Sequence, residues 1–595
     1  MASLHLTTFL VQHPFATAAL VLVFICLSTR LITELNYRST LSKIRNSSGA
    51  TVPVPILPYW IPWLGHGISF AIGGPLWIES FARNLDPASS TFALWMAGSK
   101  HNILTSPSSA KQTLLDRNAP LTMEPFVFHI MKHFWDDRGG LKRMDQTALW
   151  GDVHKALTIM VRESFVTVAI RGAVEGVQAK TWNLVSGAHS YIDQSVWERS
   201  GKVEVISAGD STGTNPFIAE ASLHPLLREF VGDIATRVFM GNNFAENNPN
   251  ILPDLWKTDG HFNLFIAAIP TWLPGMRGAT AARERIVDAV QEHHEALGRF
   301  LDGQDPGPRY SDMSDVSSVI VNRYIEFRKG GADPRTFATG DAAIFWINVF
   351  QAMNVNANQV IFWLVWYIYS TPGLLSEIRR EVSRYVKFVP PPSNGLPITE
   401  APRLSIDIDG LWQKCPLLKS AFFETMRIEA AAVSYKQIEA DFVVSESEED
   451  ARILGKAHAD SYVLGKDEYL CIPHNVHQND GRYWPNPERF DPRRFWTKTD
   501  QDGKPVAVDM DDDSYAAIRV DYGTMKVWGG GKQSCKGKTF AEREVVLFAA
   551  AIVSQWDITP VDNGGKWVHP GRIVSAGTGS PKKEVKVRMS RREAW

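Results

Sequence analysis

The sequence predicts a mainly α protein with a small β part, preceded by a single N-terminal transmembrane helix. Three observations carry this. One apolar run near the start, Phe15 to Leu27, stands apart from everything that follows. Helical patterning dominates from roughly 100 to 380, and the strand-like runs are few, short and late.

The apolar run continues through Ser28-Thr29-Arg30-Leu31-Ile32 and, with a weaker flank from Phe9, is just long enough to cross a bilayer. No Lys or Arg precedes it, whereas Arg30, Arg38, Lys43 and Arg45 follow. The positive-inside rule then puts residues 1–14 in the lumen, the span at 15–32 and the main body in the cytosol. A cleaved signal peptide is the alternative, but the basic n-region and the small-x-small cleavage site are both missing. Residues 33–65 read as a basic and proline-rich hinge, because prolines as dense as those of Thr51 to Pro58 make a stiff extended spacer.

Residues 66–595 read as one α-rich domain. Its clearest helix runs from Asp341 to Tyr369, entered by Thr339-Gly340 and closed by Ser370-Thr371-Pro372. It is apolar on nearly all faces, which implies burial. A second membrane span is the alternative, but Asn348, Gln351, Asn354, Asn356, Asn358 and Gln359 interrupt it and make it a core helix. Pro372 to Tyr385 and Pro416 to Ile428 read as further helices, and 442–444, 469–472 and 585–587 as strands. Loops are expected around 200–215 and 302–312. Polar stretches at 389–410, 445–460 and 499–522 read as insertions, with Ser445 to Asp450 a solvated acidic loop.

Composition narrows the function. Net charge is −2, so nothing points to nucleic acid. The 20 Trp and 30 Phe suit a large core and an apolar cavity. Four cysteines, Cys26, Cys415, Cys471 and Cys535, are far apart and form no CxxC, which excludes a disulfide framework and a zinc site.

Cys535 is the most informative of them. It lies in Trp528-Gly529-Gly530-Gly531-Lys532-Gln533-Ser534-Cys535-Lys536-Gly537-Lys538, directly before the helix-like run Thr539 to Glu544. Glycines let a backbone fold tightly against a flat macrocycle, and a helix N-terminus favours a thiolate over a thiol. The stretch resembles the cysteine-ligand signature of the cytochrome P-450 family, Phe-x-x-Gly-x-x-x-Cys-x-Gly, with Trp528, Gly531, Cys535 and Gly537 on its fixed places. The resemblance implies that Cys535 is the axial thiolate ligand of a haem b iron.

Two more segments carry the resemblance. Glu424 and Arg427 share a helix face in Phe422 to Arg427, an arrangement that alone would be an ordinary surface ion pair. Trp484 to Phe495 resembles the family's Pro-x-x-Phe-x-Pro-x-Arg-Phe segment, which would bring Arg494 to Glu424 and Arg427 as a buried structural triad. Trp150 and His154, four apart, resemble a Trp-x-x-x-Arg pair that holds a haem propionate; an amphipathic surface helix is the alternative. Lys436 matches another propionate position weakly, and Gln533 stands where the family often places Arg or His. Lys532, Lys536 and Lys538 bracket the cysteine and would steer an acidic reductase, unless they are only a solvated loop.

The oxygen-activating part departs from the family pattern. Members usually carry an acid-Thr pair in the central helix, but Gln351 to Gln359 holds neither carboxylate nor threonine. Setting Phe362-Trp363 against the Phe-Trp pair of the sterol 7α-hydroxylase and prostacyclin-synthase branch puts Asn356 at the acid place and Ala357 at the Thr place. Residues i and i+4 are about 40° apart, and i+2 about 200° away. Asn354 and Asn358 therefore share one face and Asn356 points nearly opposite, so only one set can look at the haem and hold a proton-delivering water. A structural hydrogen bond to a neighbouring helix is the other reading of these amides.

The resemblance implies a haem-thiolate monooxygenase of the endoplasmic reticulum membrane, single-pass, with its catalytic domain cytosolic. It would oxidise a lipophilic small molecule, a steroid, terpenoid or polyketide, with O2 and electrons from an NADPH-cytochrome P-450 reductase, cytochrome b5 being a further donor. A haem-thiolate isomerase or dehydratase of a peroxide is one alternative. A non-catalytic haem- or sterol-binding membrane protein is another.

Overall fold

A computed structural model describes residues 13–45, 51–82, 85, 89–136, 158–208, 217–329, 343–390, 402–497, 515, 517–531, 534–574 and 577–592. The chain divides into two compact units. One comprises Met1–Val127, Ala432–Asn486 and Gly529–Ser534, the other Phe128–Ala431, Pro487–Trp528 and Cys535–Trp595.

The first unit opens with a single helix, Pro14–Arg45, none of whose residues is buried. Its N-terminal part is long and apolar enough to cross a membrane. Residues 33–45 of the expected hinge are helix, so the stiff proline segment begins only later. Thr51–Pro53 is an edge strand, parallel to Ser461–Leu464, which pairs in turn with Phe442–Ser445. A five-stranded sheet follows in the order Thr91–Met96, Ser99–Leu104, Tyr469–Pro473, Val433–Ile438 and Leu121–Thr122. Its first two strands turn at Ala97-Gly98, both at positive φ (49° and 80°), the backbone that a two-residue hairpin requires.

The acidic stretch after 445 is not a solvated loop. Glu448–Ile453 is a short helix capped by Ser447. The Glu446 side chain is fully buried and paired with Lys456 at 2.7 Å, and Asp460 closes on the same ammonium at 2.8 Å. Asp450 accepts from the Ser108 backbone N–H at 2.8 Å and from its hydroxyl. Glu446 and Asp450 are thus partnered, whereas Glu448 and Glu449 are exposed.

The second unit is built around the helix Ala343–Ser370. It packs against Leu223–Met240, Pro274–Leu301, Pro416–Glu429 and Lys538–Gln555, and every residue from Val360 to Tyr367 is buried. Burial in protein is what a core helix requires, and the second-span alternative falls with it. The expected helix after Pro372 runs Leu374–Val382.

Around 200–215, where a loop is expected, the described part holds the strand Glu204–Ala208. It belongs to a four-stranded sheet in the order Trp556–Pro560, Lys586–Arg591, Phe217–Ser222, Glu204–Ala208. Two hairpins complete the β part. Val386–Val389 pairs with Arg403–Ile406, the described arms of the first polar insertion, and Arg572–Ile573 pairs with Ser580–Pro581.

Candidate functional site

Cys535 stands just ahead of the helix Lys538–Gln555, whose N-cap is Gly537. Its own N–H donates to the Trp528 carbonyl at 2.8 Å, which closes the loop between them. The backbone N–H groups of Gly537 and Lys538 turn toward the sulphur and, with the Lys536 and Lys538 charges, favour the thiolate; burial works against them and raises the thiol overall. The sulphur is thus deep, yet Cys535 is exposed, while Cys415 and Cys471 are buried. Burial pushes the Cys471 thiol up to about 12 and raises Cys415 further. Among the four cysteines only Cys535 combines backbone donors to its sulphur with an exposed residue, and that donor set fits a thiolate ligand.

The loop before it needs glycine at Gly531. Its φ is +63°, and a Cβ there would lie 2.3 Å from the Leu114 carbonyl oxygen. Trp528 is half-buried, and its indole N–H has no hydrogen-bond partner among the described residues. Lys532, Gln533, Trp150 and His154 lie outside the described residues.

Lys436 is 6% exposed on the strand Val433–Ile438 of the first unit, where it lies opposite Leu470. Burial alone pushes its ammonium pKa down.

Glu424, Arg427 and Arg494 are brought together. Glu424 accepts from Arg427 Nε at 2.8 Å and Nη2 at 2.9 Å, and from Arg494 Nε at 3.0 Å on each oxygen. The Asp491 backbone N–H adds a further bond at 3.1 Å, and Arg427 Nη2 also donates to the Pro487 carbonyl at 2.7 Å. Side-chain exposure is 0% for Glu424 and Arg427 and 12% for Arg494. This is a buried, hydrogen-bonded charge cluster rather than a surface pair.

The amides of the central helix separate as their spacing demands. Asn354 Nδ2 donates to the Phe350 carbonyl and Asn358 Nδ2 to the Arg228 carbonyl, both at 3.1 Å, and both residues are wholly buried. A Cβ on Gly232 would lie 3.3 Å from Asn354 Oδ1, so this face is packed against Leu223–Met240. Gln359 joins it, accepting from His224 at 2.7 Å. Asn354 and Asn358 are thus buried between packed helices, and the Oδ1 of each has no hydrogen-bond partner among the described residues. Asn356 points the other way and is exposed. Its Oδ1 accepts from the Thr578 N–H at 3.0 Å. Sequence reasoning missed Thr578, because no local signal ties it to a residue over two hundred positions earlier.

The family model "Cytochrome P450" matches residues 55–587. The chain belongs to the cytochrome P450 family. Among curated proteins it is 22% identical to the cytochrome P450 monooxygenase efuG of Hormonema carpetanum, over 95% of this chain and 94% of that one. It is 22% identical to the cytochrome P450 monooxygenase poxD of Penicillium oxalicum (84% of this chain, 87% of that one) and 21% identical to prostacyclin synthase of Rattus norvegicus (84% and 85%). Among solved structures, the retinoic acid-bound cyanobacterial CYP120A1 shares the fold with a TM-score of 0.54 at 16% identity, covering 91% of this chain and all of that one. This cytochrome P450 is a haem-thiolate monooxygenase by family, and the family implies a redox partner and a lipophilic substrate.

Proposed function

We propose that this P450 is anchored in the endoplasmic reticulum membrane by its N-terminal helix and oxidises a steroid, terpenoid or polyketide in secondary-metabolite biosynthesis. O2 and electrons from an NADPH-cytochrome P450 reductase, with cytochrome b5 as a further donor, drive the reaction. The observation that carries the reading is Cys535, an exposed residue with two backbone N–H groups turned to its sulphur.

When bound, the haem supplies oxygen activation and the oxidation of the substrate. Cys535 holds its iron, and the Gly537 and Lys538 N–H groups moderate the charge on the sulphur. Trp150 and His154 would hold a propionate. The Glu424–Arg427–Arg494 cluster fixes the Pro487–Arg494 segment against the helix Pro416–Glu429. Asn356 hydrogen-bonds at the oxygen site. Lys536, beside the cysteine, adds positive charge to the face that meets the reductase.

Accurate-mass metabolite profiling after disruption of the gene in its host tests the reading. An accumulating precursor that differs from the lost product by one oxygen, or by hydrogens removed in repeated oxidation, supports it. The missing acid-Thr pair favours one other reading, rearrangement of a peroxide. Precursor and product would then be isomers, and no reductase would be needed.

A further inference from the structure

Ala352 and Asn356, one helical turn apart, are exposed, whereas Met353, Asn354, Val355, Ala357 and Asn358 are buried. Among its described side chains the core helix therefore opens on one narrow stripe, and Asn356 is its polar residue. Among the described residues, Asn356 is hydrogen-bonded by the backbone N–H of Thr578, which donates to Oδ1 at 3.0 Å.

That bond decides which way the amide faces. The two ends of an asparagine amide are hard to tell apart by shape, but a backbone N–H only donates, so the end facing Thr578 must be the oxygen. The two N–H donors of Asn356 are left on the open side, without a hydrogen bond among the described residues. The segment that supplies the clip is itself held at three points. Gly577 O accepts from the Ala431 N–H at 2.8 Å, the Gly579 N–H donates to Glu429 O at 3.1 Å, and Trp363 Nε1 donates to Gly579 O at 2.6 Å. Gly577 has φ +97°, and a Cβ there would sit 2.3 Å from Asn356 Oδ1, so no side chain fits between hairpin and amide.

We infer that the Gly577–Thr578 clip presets Asn356 as a hydrogen-bond donor toward an oxygen atom held on the distal side of the haem. Gly577 and Thr578 act as positioning residues. An ionised carboxylate at this place would accept hydrogen bonds, and the clipped amide gives the site the opposite polarity. The inference rests on the reading that the exposed stripe faces the haem.

Carbon monoxide on the reduced, full-length holoenzyme is the probe. A donor near the bound CO oxygen draws electron density onto it and lowers the C–O stretching frequency, whereas a nearby anion raises it. Asn356→Leu is expected to raise the stretch measurably above wild type, and Asn356→Asp to raise it at least as far. Gly577→Ala should move the stretch toward the Asn356→Leu value although the amide is still present, a response that a merely structural glycine would not give. Should Gly577→Ala fail to fold, the two Asn356 variants still decide. Equal stretches in wild type and Asn356→Leu, each with the red-shifted Soret band of a thiolate-ligated complex, would overturn this inference alone. A wild-type complex lacking that band would overturn the haem-thiolate reading and this inference with it.

Discussion

Replacing Glu424 by Gln keeps the shape of the side chain and removes the one negative charge that two guanidinium groups share. Arg427 is fully buried, so its cation finds no water as a substitute, whereas Arg494 is 12% exposed. One amide end must also face N–H donors with donors of its own. Breaking a buried ion pair from one side costs about 3–5 kcal/mol. Arg494→Met is milder. Glu424 keeps its two-pronged bond to Arg427 and the Asp491 N–H, so the loss is one charge-assisted interaction near the surface, about 1–2 kcal/mol. With Tm moving by roughly 2 °C per kcal/mol in large domains, Glu424→Gln should lower the transition by about 6–10 °C and Arg494→Met by only about 2–4 °C. Unfolding of a membrane haem protein is irreversible in practice, so the comparison is of half-lives and scan midpoints at one fixed rate in the same detergent. The double variant is the sharper test. Once Glu424→Gln is in place, Arg494→Met takes away a stranded cation, so the double variant should be no less stable than Glu424→Gln alone. Additive losses, or an Arg494→Met loss as large as that of Glu424→Gln, would refute the charge argument.

Other perturbations follow from single contacts. Glu544 is fully buried, and burial alone pushes its carboxyl up to about 8, far above an unfolded carboxyl near 4.5. The folded state binds the extra proton between those values, so stability falls as pH rises from about 4.5 to 8. Glu544→Gln should flatten that fall, as thermal midpoints at pH 5, 6.5 and 8 would register. Lys456→Met strands Glu446 and Asp460 and should cost about 3–5 kcal/mol at pH 8. The loss should shrink toward pH 5 as Glu446, already raised by burial, takes up a proton, and the same melting series reports it. Gly531→Ala forces a Cβ to 2.3 Å from the Leu114 oxygen and should cut the haem retained per protein several-fold, measured by pyridine haemochrome against total protein.

What the sequence made legible is what local pattern encodes. The cysteine loop is a run of ten residues whose glycines and helix start serve one purpose, and the family match over 55–587 agrees with the membership inferred from it. The central helix was readable because its apolar faces are continuous. Helix geometry also divided its asparagines into two opposed sets. It could not choose between them, because the choice is made by the Arg228 carbonyl and the Thr578 N–H, groups far away along the chain. The stretch after 445 misled for the same reason. Charge density alone reads as solvation, which holds for the exposed Glu448 and Glu449, and only the fold shows that Lys456 and Ser108 take up Glu446 and Asp450. The strand Glu204–Ala208 stayed hidden because its β character comes from pairing with Phe217–Ser222 rather than from alternation in its own sequence.

On the proposed anchoring, the helix Pro14–Arg45 also fixes the pose of the unit to which it belongs. At 1.5 Å per residue the 32 residues of Pro14–Arg45 reach about 48 Å, whereas a hydrocarbon core needs only about 20 residues, or 30 Å. Counted from Phe15, that length ends near Glu34, where Arg30 and Arg38 pair with Glu34 one turn to either side. The remaining turns project beyond the hydrocarbon as helix. At the end of the span Thr33 Oγ1 is hydrogen-bonded to the Tyr59 backbone at 3.2 Å and Arg30 lies 5.7 Å from the Trp60 ring centre; beyond it Tyr37 and Ile44 pack on the apolar clusters of the same unit. A stem held at so many points transmits its tilt to that unit instead of acting as a swivel. Asn36→Pro removes a helix hydrogen bond beyond the span, at a cost of about 3 kcal/mol. Retention in carbonate-washed membranes should be unchanged, because residues 15–34 are untouched. Proteolysis between 36 and 45 should accelerate many-fold over wild type. A wild-type chain cut there as fast as the variant would mean that the stem is already loose, and the rigid mounting would be wrong.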